Sequence, residues 1–142
     1  IIRNHYVGRT FIQPNQKDRT DSVKLKHNAN PAAVSGKRII LVDDSIVRGT
    51  TSRKIVSMMR NAGAAEVHMR IASPPTTHPC FYGVDTPSRD HLIAAQMSVD
   101  EIAAEIGANS LAFIPVDGLY RAIADEKRQP DAPQFCDACF TG

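Results

Sequence analysis

The sequence contains no long hydrophobic run. Its apolar stretches fall far short of the ~20 residues that a membrane-spanning helix needs, so no membrane partner is expected. No basic segment leads into an apolar one at the N-terminus, as a secretory signal would require, and the expected compartment is the cytoplasm. An initiator Met is also missing: the chain starts Ile1-Ile2-Arg3, as a piece processed or excised from a longer product would. There is no internal repeat and no low-complexity tract. With only three cysteines in a chain of this type, a disulfide framework is not expected.

What is present fits one globular domain with a modest core, or part of a larger one: 142 residues, 42% hydrophobic and 23% charged. The net charge of +2 is unevenly placed. Residues 1–38 carry eight Lys or Arg against Asp18 and Asp21, and the remainder is net acidic. A basic segment of this kind raises the question of nucleic acid. Its only aromatics are Tyr6 and Phe11 and no recognition helix is apparent, so a small polyanionic ligand is the better fit and no nucleic-acid partner is expected.

The informative stretch is Ile39-Ile40-Leu41-Val42-Asp43-Asp44-Ser45-Ile46-Val47-Arg48-Gly49-Thr50-Thr51. Four consecutive apolar residues between charges read as a strand buried on both faces, in the middle of a parallel sheet. A loop of hydroxyls and glycine follows. Residues 53–62 then have helical spacing, with Ile55, Met59 and Ala62 as the apolar positions and Gly63 at the helix end. Strand, loop and helix in this order bring free backbone N–H groups and the positive end of a helix onto one anion, normally a phosphate. Asp43 and Asp44 repel each other unless a cation or hydroxyls lie between them and the ligand, which a sugar phosphate with magnesium would supply.

These thirteen residues resemble the phosphoribosyl pyrophosphate (PRPP) motif of type I phosphoribosyltransferases. The resemblance implies that Asp43 and Asp44 hold the ribose hydroxyls and Mg2+, and that Ser45, Ile46, Val47, Arg48, Gly49, Thr50 and Thr51 cradle the 5-phosphate. The fold it implies is α/β: a parallel sheet flanked by helices, here as an incomplete domain.

Along the rest of the chain, residues 3–12 read as a strand, 13–22 as a polar loop, 23–26 as a short strand, and 28–31 as a turn. Residues 67–72 form the next strand, with His68 on its polar face and binding nothing. A proline-stiffened loop, 73–80, leads to a helix from Thr86 and Pro87 to about residue 95. Ser98 and Glu101 form a capping box ahead of 102–106, closed by Gly107. Residues 110–115 read as a strand and 119–124 as a short helix with Leu119, Tyr120 and Ile123 in the core.

Tyr6 to Ile12, the basic loop, and Leu25 to Asn30 are similar to glutamine phosphoribosylpyrophosphate amidotransferases. That resemblance divides residues 1–142 into a strand and flexible basic lid (1–36), a core (37–124) and a Cys-bearing C-terminal segment (125–142). It makes Arg9, Lys24 and Lys26 lid residues facing pyrophosphate. The implied reaction transfers ammonia, freed from glutamine, to PRPP, giving 5-phosphoribosylamine in the first step of purine synthesis. The implied partners are PRPP, purine nucleotides, a glutaminase domain of the same polypeptide, and further copies in a homotetramer. No N-terminal cysteine nucleophile is present, so the chain alone is expected to be inactive. A non-enzymatic module sensing PRPP or a nucleotide is the alternative.

Cys136-Asp137-Ala138-Cys139 has spacing that lets two thiolates grip one soft metal, and Cys80 lies on a loop able to join them. The residues themselves leave three readings open: an iron–sulfur cluster, zinc with His78 as a fourth ligand, or unrelated thiols. The family resemblance matches Cys80, Cys136 and Cys139 to three of the four ligands of a [4Fe–4S] cluster, the fourth lying outside this chain. A zinc-stabilised interaction domain would leave the two acids unexplained.

Overall fold

The computed structural model describes residues 1–3, 27–124 and 126–142. Among them the chain forms β1 (Ile2–Arg3), β2 (His27–Asn28), α1 (Pro31–Val34), β3 (Arg38–Asp43) and α2 (Thr50–Asn61). It continues through β4 (Glu66–Ile71), a 3-10 turn (Arg89–His91), α3 (Ile93–Gln96), α4 (Val99–Ile106), β5 (Ser110–Phe113), α5 (Val116–Ala124) and α6 (Ala138–Thr141). β3, β4 and β5 make a parallel sheet in that order, with Ile39 opposite Val67 and Met69 opposite Leu111. β1 and β2 pair antiparallel in a separate small sheet. The α/β parallel architecture expected from the strand and helix alternation is therefore present. The strands expected at 3–12 and 23–26 fall almost wholly outside the described residues. The turn expected at 28–31 is instead the end of β2 and the start of α1, which Pro31 opens because a first-turn residue needs no N–H partner.

The core lies on one face of the sheet. Val67, Met69, Ile71 and Leu111 point into it, with Ile39, Leu41 and Phe113 packed at its margin, and Val56, Met59, Ile102 and Ile106 meet them from α2 and α4. Each such buried side chain contributes about 1.5–3 kcal/mol.

The opposite face corrects one expectation. β4, not β3, is the strand flanked on both sides, and β3 is an edge among the described residues, with Ile40 65% and Val42 75% exposed. A short apolar run reads the same whether one or both faces are covered; here only Ile39 and Leu41 are turned to the core. A second correction concerns His68, on the same face. Its ring nitrogens lie 2.9 Å from Glu66 Oε2 and 2.9 Å from Ser110 Oγ, and Arg38 Nε donates to the same Glu66 oxygen at 2.6 Å. Parallel registry puts Arg38 beside Glu66 and His68 beside Ser110, which turns separate polar residues into one network.

α2 begins at Thr50, three residues before the expected start, and its buried stripe is Ser52, Val56 and Met59. Of the other apolar positions, Ala62 packs against the core, and Ile55 and Ala62 line a surface hollow with Met58, Ala29 and Pro31. Gly63 ends the helix at φ +93°, its N–H donating to Arg60 O and that of Ala64 to Met59 O, so that two terminal carbonyls are satisfied.

The helix expected from residue 86 to 95 is not continuous. Leu92 adopts an extended conformation between the 3-10 turn and α3, and in doing so becomes fully buried. Thr86 caps no helix; its hydroxyl accepts the Cys80 N–H at 2.6 Å. The capping box is as expected: Ser98 N–H donates to Glu101 Oε2 at 2.8 Å while Ser98 Oγ accepts from Glu101 N. In α5, Tyr120 is buried, with the Phe135 ring against it, but Ile123, expected in the core as well, is 59% exposed.

Candidate functional site

The loop from β3 to α2 sits at the C-terminal end of the parallel strands, where an open α/β sheet presents its ligands. Its floor is apolar. Ile46 is 2% exposed and belongs to the core cluster, and Val47 O accepts the Ile93 N–H at 2.9 Å. These two contacts pin the middle of the loop, leaving the hydroxyls and charges of Thr50, Thr51 and Arg48 at the surface. The backbone of Asp43 is held from the sheet side, where its carbonyl accepts from Ala72 N at 2.9 Å.

Gly49 is the N-cap of α2, at φ +75° and ψ −13°. No side chain caps this end and no acidic residue lies in the first turn, so the first-turn N–H donors and the positive end of a twelve-residue helix are not neutralised from within the helix. An anion is the group that completes such an end. At the strand end, Asp44 N–H donates to Asp43 Oδ1 at 3.0 Å, and Ser45 Oγ donates to Asp44 Oδ1 at 3.1 Å. These bonds orient the adjacent carboxylates and spread their charge. Acidic oxygens beside an anion cradle form a donor set that fits Mg2+, which takes one or two carboxylates and completes its shell with phosphate and water.

The residues expected to act together, Asp43, Asp44, Ser45, Ile46, Val47, Arg48, Gly49, Thr50 and Thr51, are thus gathered at one end of the sheet. The Ile46 side chain is part of the core, so only its backbone is left for a ligand. Arg9, Lys24 and Lys26 lie outside the described residues. One further group escaped the sequence reading: Ser73 Oγ, just beyond β4, is buried with no hydrogen-bond partner among the described residues.

The cysteines form a second locality. Cys139 O accepts from both Thr77 N and His78 N at 3.0 Å, tying α6 to the loop that bears Cys80. The Cys80 sulfur accepts the Tyr82 N–H at 3.4 Å. Backbone N–H groups of Tyr82, Val84 and Gly83 hold the Cys80 thiol below its usual value. Burial pushes the Cys139 thiol up, and charge on Cys80 and Cys136 adds to the effect. In donor chemistry the thiols suit a soft metal. In geometry they fall short: among the described residues, no group of three or more His, Cys, Asp or Glu side chains is placed to hold a metal ion.

What holds this segment is a carboxylate. Asp137, between the two cysteines, is 6% exposed. Its Oδ2 pairs with Arg128 Nε at 2.5 Å and accepts from the Tyr120 hydroxyl at 3.0 Å, while Oδ1 accepts from Thr141 Oγ1 at 3.1 Å. The hydrogen bond from Arg128 is the main reason its carboxyl is held below the ordinary range. The Phe135 ring packs edge-on against Tyr120 with centroids 5.6 Å apart. No periodicity links residues 120, 128, 137 and 141, so spacing carried no sign of this hub.

No protein-family model matches the chain. Amidophosphoribosyltransferase from Rhizobium etli is 62% identical over 143 residues, covering 100% of this chain and 29% of the relative. Its namesake from Bacillus subtilis is 55% identical over 142 residues, covering 100% of this chain and 30% of the relative. Among solved structures, glutamine phosphoribosylpyrophosphate amidotransferase from B. subtilis, complexed with ADP and GMP, matches with a TM-score of 0.80 and 55% identity. That match covers 99% of this chain and 31% of the other. A structure described as the allosteric regulatory enzyme of purine biosynthesis matches with a TM-score of 0.79 and 56% identity, over 99% of this chain and 30% of its own. The chain spans about three tenths of the length of these relatives. Over its whole length, it is the counterpart of a segment of the amidophosphoribosyltransferases.

Proposed function

We propose that this chain supplies the PRPP-binding part of an amidophosphoribosyltransferase, a glycosyltransferase that joins ammonia from glutamine to PRPP. The observation that carries the reading is the pair Asp43 and Asp44 at the end of β3, next to an α2 N-terminus with no cap or acid of its own. The ribose 5-phosphate of PRPP rests on the backbone N–H groups of residues 45–51 and the hydroxyls of Thr50 and Thr51. The ribose hydroxyls reach Asp43 and Asp44. The ammonia nitrogen bonds to the anomeric carbon as the bond from that carbon to the pyrophosphate oxygen breaks, and the nitrogen loses a proton to give the neutral amine. Products are 5-phosphoribosylamine and pyrophosphate, with glutamate left by the ammonia donor.

Positive charge develops at the anomeric carbon as the bond breaks, and the two carboxylates stabilise it from a fixed position. Asp43 and Asp44 would hold Mg2+, which would supply neutralisation for the departing pyrophosphate. Arg9, Lys24 and Lys26 act from a lid in 1–36 that excludes water, over a core of 37–124 and a C-terminal segment of 125–142. Exclusion of water protects both the reactive carbon and the ammonia. Cys80, Cys136 and Cys139 would be three ligands of a [4Fe–4S] cluster, the fourth coming from outside the chain; the described residues do not bring three such ligands together, and no catalytic step passes through the group. The glutaminase domain and a homo-oligomeric assembly complete the enzyme.

The same loop accommodates purine nucleotides, which present an identical phosphate on ribose, and a relative has been solved with ADP and GMP bound. That complex is what favours the second reading, a nucleotide-sensing module without chemistry. The cytoplasmic assignment belongs to the proposal too: among the described residues no helix is long and apolar enough to cross a membrane, and relatives from Glycine max and Arabidopsis thaliana are named chloroplastic.

The test is calorimetric titration of the intact protein with PRPP, with and without Mg2+, followed by assay of pyrophosphate release with glutamine or ammonia. Mg2+-dependent binding with turnover supports the enzyme. Binding of PRPP or nucleotide without turnover by either nitrogen donor supports the sensing module instead.

A further inference from the structure

We propose that Asp137 is a positioning residue that docks the thiol-bearing C-terminal segment onto the domain without help from any metal. The family resemblance places a [4Fe–4S] cluster on the thiols of this segment. The distances assign the task elsewhere. Asp137 contacts Arg128, Tyr120 and Thr141, and so joins α5, the stretch after it and the last helix through one buried carboxylate. Arg128 Nη2 reaches its second oxygen at 3.5 Å, and the Tyr120 hydroxyl, 3.1 Å from Phe135 O as well, shares its one proton between that carbonyl and Asp137. Both carboxylate oxygens are therefore engaged and the charge is matched, which is the condition under which a buried ion pair is tolerated and its rupture is costly.

The hub sits between Cys136 and Cys139 in sequence, so seating Asp137 also places them. α6 starts directly after it, and Thr77 N and His78 N then catch Cys139 O. The consequence is a different setting for each thiol: Cys139 half-buried, its backbone tied to the Cys80 loop, and Cys136 exposed. The inference rests on contacts within the chain, and it holds whether the group bound is iron–sulfur, zinc or none.

Thiol labelling reads this directly. The intact protein is stripped of metal by chelation under reducing conditions, treated with iodoacetamide, and the modification of each cysteine followed by tandem mass spectrometry, with exposed Cys136 as internal reference. The expected result is that Cys139 reacts roughly tenfold more slowly than Cys136. In Arg128→Ala and Asp137→Ala that gap closes, while the far-ultraviolet circular dichroism is unchanged, because the hub lies outside the main core. Arg128→Lys, which keeps a cation, restores part of the protection. Cys80→Ser, which removes a metal ligand and leaves the hub, keeps Cys139 protected. The proposal is overturned if metal removal alone exposes Cys139 in the unaltered protein, or if Arg128→Ala, folded by circular dichroism, leaves its protection intact.

Discussion

A Cβ added to Gly49 would lie 2.8 Å from Ile93 Cδ1, closer than real Cβ contacts come, in a backbone already at φ +75°. Gly49 is required by its left-handed conformation, whereas the close atom is the far end of the Ile93 side chain and can swing aside. Both residues bear on the loop from β3 to α2, since the Ile93 N–H also donates to Val47 O.

Gly49→Ala is expected to cost about 1–3 kcal/mol of stability, from the strain of holding a side chain in the left-handed region. PRPP affinity falls with it, because the start of α2 shifts. Urea unfolding of the variant and calorimetric titration check the two effects separately. Unchanged stability and affinity would show that the position carries a side chain without strain.

Ile46→Ala removes the buried anchor of the same loop. Leaving a cavity at a position 2% exposed is expected to cost about 2–5 kcal/mol. The unfolding midpoint in urea reports the loss, and backbone hydrogen exchange reports whether residues 44–49 open more often than the sheet.

Asp43→Asn with Asp44→Asn is expected to abolish Mg2+-dependent PRPP binding in the intact enzyme while leaving thermal stability nearly unchanged. Neither residue is part of the core cluster, and removing two adjacent like charges relieves repulsion. Calorimetry and a thermal melt of one preparation decide it. Retained Mg2+-dependent binding would remove both carboxylates from the site.

The Glu66 carboxyl titrates below its usual value of 4.5, chiefly through its hydrogen bond with His68 and then through Arg38. A depressed carboxylate contributes stability that is fully present above the unfolded-state value and is lost as pH falls through the folded-state value. Acidification from about pH 5 to about pH 3 should therefore lower the melting temperature less in Glu66→Gln than in the unaltered protein. Parallel melts across that range test it. Identical pH profiles would mean the network on the open sheet face contributes nothing to acid sensitivity.

Local chemistry was legible without coordinates. The apolar run ending in Asp43 and Asp44, the capping box at Ser98 and Glu101, and the helix stop at Gly63 each depend on residues a few positions apart, and adjacent residues dictate such features whatever packs around them. The same holds for the loop of residues 43–51, whose parts are contiguous and so arrive at one place together. Sequence therefore determined the order of strands and helices around this loop and the class of ligand its chemistry suits. Tertiary structure alone decided which face each apolar residue meets: Ile40 and Val42 outside, Ile39 and Leu41 inside, Leu92 buried by breaking a helix that its neighbours would otherwise continue. It also decided the partners of His68 and Asp137, because hydrogen bonds between residues 42 or 17 positions apart follow from strand registry and chain return, and neither leaves a period in the sequence.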